Sequence, residues 1–302
     1  MYRRLTAPAI ALALTTVLAP GARAAPTMGT AGSYAPPSSW TAEVPQQGSP
    51  SAADADERAS GEDQPDAVGG GVTHAVYFVP KDRPNENLDL SGALVRSIDG
   101  MRAWFYREMR KQPRFDRIPG TSAYDITYVR GMENAGHYDS LQDIVDELKM
   151  RGFAAADKRY LVYAAVNRGM TCGEGQFPYV PSSETGRYAA VYLDSVSSCG
   201  ARDFGGGTAA TAGKAETIAA HEWLHNEGVV PLVAPHSCPP PAHSHACTGP
   251  LWLTPENDPE APDVMFPIIV RRLATAVLDR DRDDYLDHPW PYADLRDSRW
   301  LE

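Results

Sequence analysis

Residues 221–231 read HEWLHNEGVVP and place two imidazoles and a carboxylate on one face of a predicted helix. His221 and His225 are one helical turn apart, so both rings can reach the same metal ion, with Glu222 beside them. Zinc in a hydrolytic site takes three protein ligands and keeps one position for water, whose proton a nearby carboxylate accepts. The stretch therefore indicates a zinc hydrolase site with Glu222 as general base, rather than an exposed polar helix face.

The beginning of the chain has the pattern of an export signal. Arg3 and Arg4 precede an apolar run at residues 7–19, and small residues at 22 and 24 form a cleavage pattern before Ala25. Residues 1–24 are therefore predicted to be a signal peptide, and the mature protein is expected to be secreted and extracellular. No later stretch approaches the roughly 20 apolar residues that a transmembrane helix needs.

Composition divides the rest of the chain in two. Residues 25–71 are rich in Pro, Ser, Ala, Gly and acids, which predicts a disordered pro-segment or linker. Residues 72–302 suit one catalytic domain, expected to be a monomer. The net charge is −11 and no segment has a cluster of Lys and Arg, which disfavours nucleic acid or an anionic membrane as the partner.

Four cysteines in an exported chain predict two disulfides, although sequence alone allows three pairings. We favour Cys172 with Cys199 and Cys238 with Cys247, since the second pair would close a tight loop. A structural zinc site built from Cys and His is the weaker alternative, because the chain has no C-x-x-C pair.

Apolar periodicity predicts an α+β fold. Strands and helices alternate and end in two strands and the site helix, which indicates a mixed twisted sheet with helices packed on it. Asp89 is a candidate cap for the first helix, and Gly228 is expected to end the last one. The predicted strands are 73–79, 124–129, 160–166 and 188–193, and the predicted helices are 90–109, 140–150 and 215–228.

An acidic stretch near the end of the chain has spacing similar to a calcium-binding loop. Its sixth position is Asp284 where such loops have Gly, and its twelfth is Trp290 where they have Glu. A capping or salt-bridge role is therefore favoured, with Ca²⁺ as the alternative. The aspartates concerned are Asp279, Asp281, Asp283, Asp284 and Asp287.

The third metal ligand has to come from the segment after the helix. Residues 231–262 contain nine prolines, which exclude a second long helix carrying a Glu ligand. The pattern H-E-x-x-H-x-x-G instead resembles the metzincin clan of zinc peptidases. In that clan the glycine turns the chain so that a third His, three residues later, reaches the ion. Here that position is Pro231.

More narrowly, the chain is similar to a group of secreted bacterial metzincin-like peptidases that have an insertion before the third His. The similarity covers nearly all of residues 73–302. It includes an A-P-H segment, a histidine close before a cysteine, a D-V-M turn and an L-D-x-x-x-D-D-Y stretch. The matching segments are 76–80, 172–173, 234–236, 245–247, 263–265, 278–285 and 298–301.

This resemblance implies His245 as the third ligand, with His236 and then His243 as alternatives. It also implies a long loop after the site helix and a methionine turn in which Met265 lies under the metal. The alternative for Met265 is an ordinary core methionine. Phe266 and Pro267 follow where some metzincins have a tyrosine that stabilises the transition state.

The function that follows is a secreted zinc-dependent endopeptidase, a metalloprotease whose partner is a protein or peptide substrate. The first alternative is a secreted binding or cell-surface protein with the same scaffold and weak or no catalysis. A zinc hydrolase acting on a small amide or ester is the second.

Overall fold

The structure, a computed structural model, describes residues 59–65, 67–177, 186–230, 234, 236–238, 244–247, 263–267, 271–280, 282, 284–287 and 294–302. The predicted signal peptide at 1–24, the alternative ligand His243 and two aspartates of the acidic stretch, Asp281 and Asp283, lie outside the described residues.

Three α-helices and five strands occur within this part of the chain. The helices are α1 (Ala93–Met109), α2 (Leu141–Met150) and α3 (Lys214–Glu227). The strands are β1 (Val72–Val79), β2 (Ile126–Arg130), β3 (Lys158–Ala164), β4 (Gly173–Gly175) and β5 (Tyr188–Tyr192).

The five strands form one mixed sheet in the order β2-β1-β3-β5-β4. Four strands run parallel to their neighbours, and β4 pairs antiparallel with β5 at one edge. Every residue of β1, β3 and β5 is buried, as is typical of parallel strands covered on both faces. The predicted α+β class, with helices packed on a mixed sheet, is confirmed.

The two faces of the sheet belong to two apolar cores. Along β1, Ala75, Tyr77 and Val79 pack in the same core as the apolar side chains of α1 and α3. Val76 and Phe78 point to the other face and pack with the side chains of α2. This period of two is inherent to a strand. Because their apolar side chains share one core, α3, which carries His221 and His225, lies on the same side of the sheet as α1.

The predicted elements are present with shifted ends, and two details differ. Asp89 is not the cap of the first helix, because α1 begins at Ala93 after Gly92, whose φ of 74° provides a left-handed start. The edge strand β4 was not predicted, since its sequence, Gly-Glu-Gly, has no alternating apolar pattern.

Residues 59–65, at the end of the predicted pro-segment, contact the sheet. Gly61 N–H donates to the carbonyl of Tyr128 in β2 over 2.8 Å. The carboxylate of Asp63 accepts from Lys158 Nζ at 2.6 Å and from the Tyr160 hydroxyl at 2.8 Å, both in β3. In this short stretch, therefore, the segment is bonded to strands β2 and β3 of the domain.

Within the described residues, no helix combines the length and the apolar character needed to cross a membrane.

We expect Asp63→Ala to lower the free energy of unfolding by about 2 kcal/mol, since a mostly buried carboxylate bonded to an ammonium is removed. Urea unfolding of the full chain measures this. The control is Asp157→Ala, which removes an exposed carboxylate next to Lys158 in sequence. Equal stability of the two variants would show that segment 59–65 does not contribute to the fold.

Candidate metal centre

Helix α3 carries the motif and is buried on all sides except at its first and last residues. At its start, both carboxylate oxygens of Glu216 accept from Gly205 N–H at 3.1 Å, and one also accepts from Gly213 N–H. At its end, Gly228 has a φ of 70°, a left-handed conformation that favours glycine and stops the helix. The predicted end of the helix at this glycine agrees with the structure.

A buried ion pair fixes the end of α3 to the sheet. Arg159 of β3 donates to the carboxylate of Glu227 and, over 3.0 Å, to the carbonyl of Asn226. The guanidinium group also lies 4.4 Å from the ring centroid of Trp300, near the end of the chain. Removing one partner of a buried pair leaves an uncompensated charge, so the loss of either Arg159 or Glu227 would destabilise the end of α3.

Three imidazoles come together beside α3. The Nε2 atoms of His221 and His225 are 3.2 Å apart. The ring of His245, from the long loop, lies with its centroid 5.0 Å from that of His221 and 4.8 Å from that of His225. One nitrogen from each ring can be chosen so that all three lie within 4.8 Å of one another, an arrangement that could hold a metal ion.

A disulfide-closed hairpin carries His245. The chain forms both favoured disulfides, Cys172–Cys199 and Cys238–Cys247. Across the second, Cys238 N–H donates to the carbonyl of His245 at 2.8 Å, and Cys247 N–H donates to that of His236 at 2.7 Å. The hairpin therefore fixes the backbone of His245 on both sides.

The structure places His236 elsewhere. Its Nδ1 lies 3.4 Å from a carboxylate oxygen of Asp284, and its backbone N–H donates to the other oxygen at 2.8 Å. Among the described residues, His245 and not His236 therefore joins the two helix histidines.

The segment with Met265 adjoins the imidazoles. The carbonyl of Val264 accepts from Nδ1 of His221 at 2.7 Å, which places the proton of this ring on Nδ1 and leaves Nε2 for a metal. Met265 is fully buried in the core shared with α3, and its carbonyl accepts from Ala246 N–H at 3.0 Å. The D-V-M turn thus contacts one histidine and the neighbour of another.

Burial favours the neutral form of these rings. Burial, and to a smaller extent the adjacent His245, lowers the pKa of His221 to about 3. Burial also lowers the pKa of His225 well below its usual range, with His221 and His245 adding to the shift. Metal binding requires unprotonated imidazoles, and these shifts favour the neutral form of both helix histidines.

Glu222 is buried next to His221, with only 4% of its surface exposed. Burial, together with the carboxylate of Glu174, raises the pKa of Glu222 well above its usual value. A cation held by the three imidazoles would act in the opposite direction and favour the carboxylate.

Edge strand β4, which was not predicted from the sequence, packs directly on the motif. A Cβ atom on Gly175 would lie 2.5 Å from the carbonyl oxygen of Glu222 and 2.7 Å from Cβ of His225. A Cβ on Gly173 would lie 2.7 Å from Cγ of Glu222. Two glycines two residues apart, and so on one face of a strand, are the signal that could have revealed this contact.

The acidic stretch uses Asp279 to hold its own backbone. The Asp279 carboxylate accepts from the N–H groups of Asp284 at 3.3 Å, Tyr285 at 2.7 Å and Leu286 at 2.5 Å. This is the capping role that the sequence favours for the stretch.

A second group, Asp63, His74 and Asp116, also has the spacing of metal ligands. Here the ammonium group of Lys158 lies 2.6 Å from Asp63 and 3.0 Å from Asp116. Lys158 already supplies the positive charge, so this group is a buried ion network that anchors segment 59–65.

A scan against protein-family models and a search of curated proteins each found no match to the chain.

We expect His245→Ala to weaken Zn²⁺ binding more than the 10–100-fold typical of losing a residue behind the ligands. His236→Ala, from the same hairpin, is the matched control and should bind as wild type does. Competition with a chromogenic chelator measures both. If Zn²⁺ affinity falls equally in both variants, or is unchanged in both, the assignment of His245 is contradicted.

Proposed function

We propose that the chain is a secreted, zinc-dependent endopeptidase. The observation that carries the proposal is the cluster of His221, His225 and His245, with the buried Glu222 adjacent in sequence. Three imidazoles and one carboxylate that is not part of the cluster form the donor set of a hydrolytic zinc site.

The geometry suits zinc. Two nitrogens, each roughly 2.0–2.1 Å from a tetrahedral zinc ion, lie about 3.3 Å apart. The Nε2 atoms of His221 and His225 are separated by 3.2 Å. Imidazole donors favour zinc and other transition metals over Ca²⁺ or Mg²⁺, which prefer oxygen.

Bound zinc would polarise the substrate carbonyl and would lower the pKa of a bound water molecule to about 7. The chain itself supplies the proton transfers. Glu222 accepts a proton from the water molecule as the water oxygen bonds to the carbonyl carbon. Glu222 then passes this proton to the departing amine nitrogen as the C–N bond breaks, so that a carboxylic acid and an amine result.

The arrangement supports a metzincin-like site with an inserted third ligand. The helix ends at Gly228, whose left-handed conformation turns the chain as the motif H-E-x-x-H-x-x-G implies. Pro231 takes the usual place of the third histidine, and the hairpin closed by Cys238 and Cys247 provides His245 instead. The buried Met265 follows, as expected for a methionine turn.

The edge strand favours a peptide substrate. Strand β4 ends the sheet on the side of α3, and β5 is its only partner among the strands that the structure describes. An extended peptide can pair with such an edge through its backbone, largely independent of sequence. Because Gly173 and Gly175 pack on Glu222 and His225, a peptide on this edge would pass close to the metal centre.

Secretion is proposed from the signal peptide predicted at residues 1–24 and from the disulfides. Oxidised cysteine pairs are typical of exported proteins and rare in cytosolic ones.

A second candidate is a secreted binding protein that keeps the metal and lacks catalysis. Phe266 and Pro267, which follow Met265, have no side-chain donor for the developing oxyanion. Metal binding with no hydrolysis of casein or of a broad peptide library would favour this candidate.

We expect Glu222→Gln to retain zinc and lose peptide hydrolysis by about 100-fold or more, since a general base contributes 10²–10⁴ in rate. His221→Ala should lose both metal and activity. Zinc content and cleavage of a quenched fluorescent peptide library are measured together. The control, Glu62→Gln, changes an exposed residue of segment 59–65 and should leave both unchanged. Full activity of Glu222→Gln would rule out the proposed mechanism.

A further inference from the structure

The turn from Asp263 to Phe266 contacts both segments that carry the ligands, helix α3 and the hairpin of His245, through consecutive carbonyls. The carbonyl of Val264 accepts from Nδ1 of His221 at 2.7 Å. The carbonyl of Met265 accepts at 3.0 Å from the N–H of Ala246, next to His245. Any shift of this turn therefore moves the hydrogen-bond partner of one ligand and the backbone beside another.

One side chain, Asp263, holds the turn in place. Its carboxylate accepts from Met265 N–H at 2.7 Å, from the Tyr285 hydroxyl at 2.8 Å and from Arg280 N–H at 3.0 Å. Only 3% of Asp263 is exposed. The backbone adds a bond from Val264 N–H to the carbonyl of Val277 at 2.8 Å.

The direction of the hydrogen bonds requires an acceptor at Asp263. The hydroxyl oxygen of Tyr285 accepts from Asp279 N–H at 2.8 Å, so its own proton points to Asp263. Three donors thus converge on one carboxylate, which has two acceptor oxygens. An amide has only one acceptor oxygen and adds two donors, so Asn can satisfy only part of this set.

We propose that Asp263 is a positioning residue for the metal centre. By fixing the turn, its carboxylate keeps the Val264 carbonyl on Nδ1 of His221, so that this imidazole presents Nε2 to the ion. The same turn keeps the Met265 carbonyl on the hairpin of His245. The inference rests on the proposed function only in that the three imidazoles bind a metal.

A neutral imidazole exchanges between two forms, protonated at Nδ1 or at Nε2, and a fixed acceptor selects one of them. Without the carbonyl of Val264 in place, His221 would populate the form whose Nε2 carries the proton and cannot bind a metal. Residues behind the ligands typically change metal affinity by about 10–100-fold through this kind of orientation.

The test uses Asp263→Asn in the full chain, with Asp116→Asn as the matched control. Asp116 is also buried, and its carboxylate bonds to His74, Lys158 and the N–H of Arg117, none of them at the metal centre. Both variants should be less stable than wild type. Only Asp263→Asn should bind Zn²⁺ more weakly, by about 10–100-fold in a chelator competition.

A second readout needs no metal. Long-range ¹H–¹⁵N correlation spectra of the metal-free protein report which nitrogen of His221 carries the proton. We expect the Nδ1–H form in wild type and in Asp116→Asn, and a mixture of both forms in Asp263→Asn. A loss of stability alone does not produce this change.

Two results would overturn the inference: unchanged zinc affinity in Asp263→Asn, or equal weakening in Asp116→Asn. If Asp263→Asn does not fold, Tyr285→Phe removes one donor from the same carboxylate and should give a smaller change in the same direction, and an unchanged affinity there also contradicts the inference. Absence of zinc binding by wild type would instead refute the proposed function, while the spectra would still report on Asp263.

Discussion

Helix α3 can lie where it does only because the neighbouring edge of the sheet carries no side chains on that face. Gly173 and Gly175 let the backbone of β4 lie against the helical turn that carries Glu222 and His225. A Cβ atom at either position would clash with this turn. Glu216 then bonds the start of the helix to the loop before it, and Glu227 bonds the end of the helix to Arg159 in the sheet. The two helix histidines therefore take their positions from the whole domain and not from the local motif.

Burial sets the chemistry of the centre. Three imidazoles packed this closely can remain together because His221 and His225 are neutral, and a proton on one would place a charge beside the others. The same crowding favours a cation that all three share. Protons and a metal ion bound there would compete for one set of nitrogens, and burial of the two helix histidines disfavours the protons.

The parts of the molecule that depend on local sequence patterns could be predicted from the sequence. The period of the apolar residues gave the order of strands and helices, and the spacing of His221, Glu222 and His225, with the glycine after them, gave the site helix and its end. Strand β4 escaped detection because its role depends on missing side chains, which leave no apolar pattern. The choice between His245 and His236 depends on pairing within a hairpin and on contacts with Met265 and Asp284, which are distant in sequence. Asp263 was visible only as part of a turn, since its partners come from another segment of the chain.

The disulfide between Cys238 and Cys247 makes the position of His245 dependent on the redox state of the compartment that contains the chain. Inside a bacterial or eukaryotic cytosol thiols stay reduced, whereas export pathways oxidise them. If the imidazoles bind zinc and the chain is exported, as proposed, a newly made chain offers two ligands from its helix, while the third lies on a loop that is not yet closed. Hydrolytic competence would then arise only after departure from the cell, and the proteins of the producing cell would be spared without the need for a separate inhibitor.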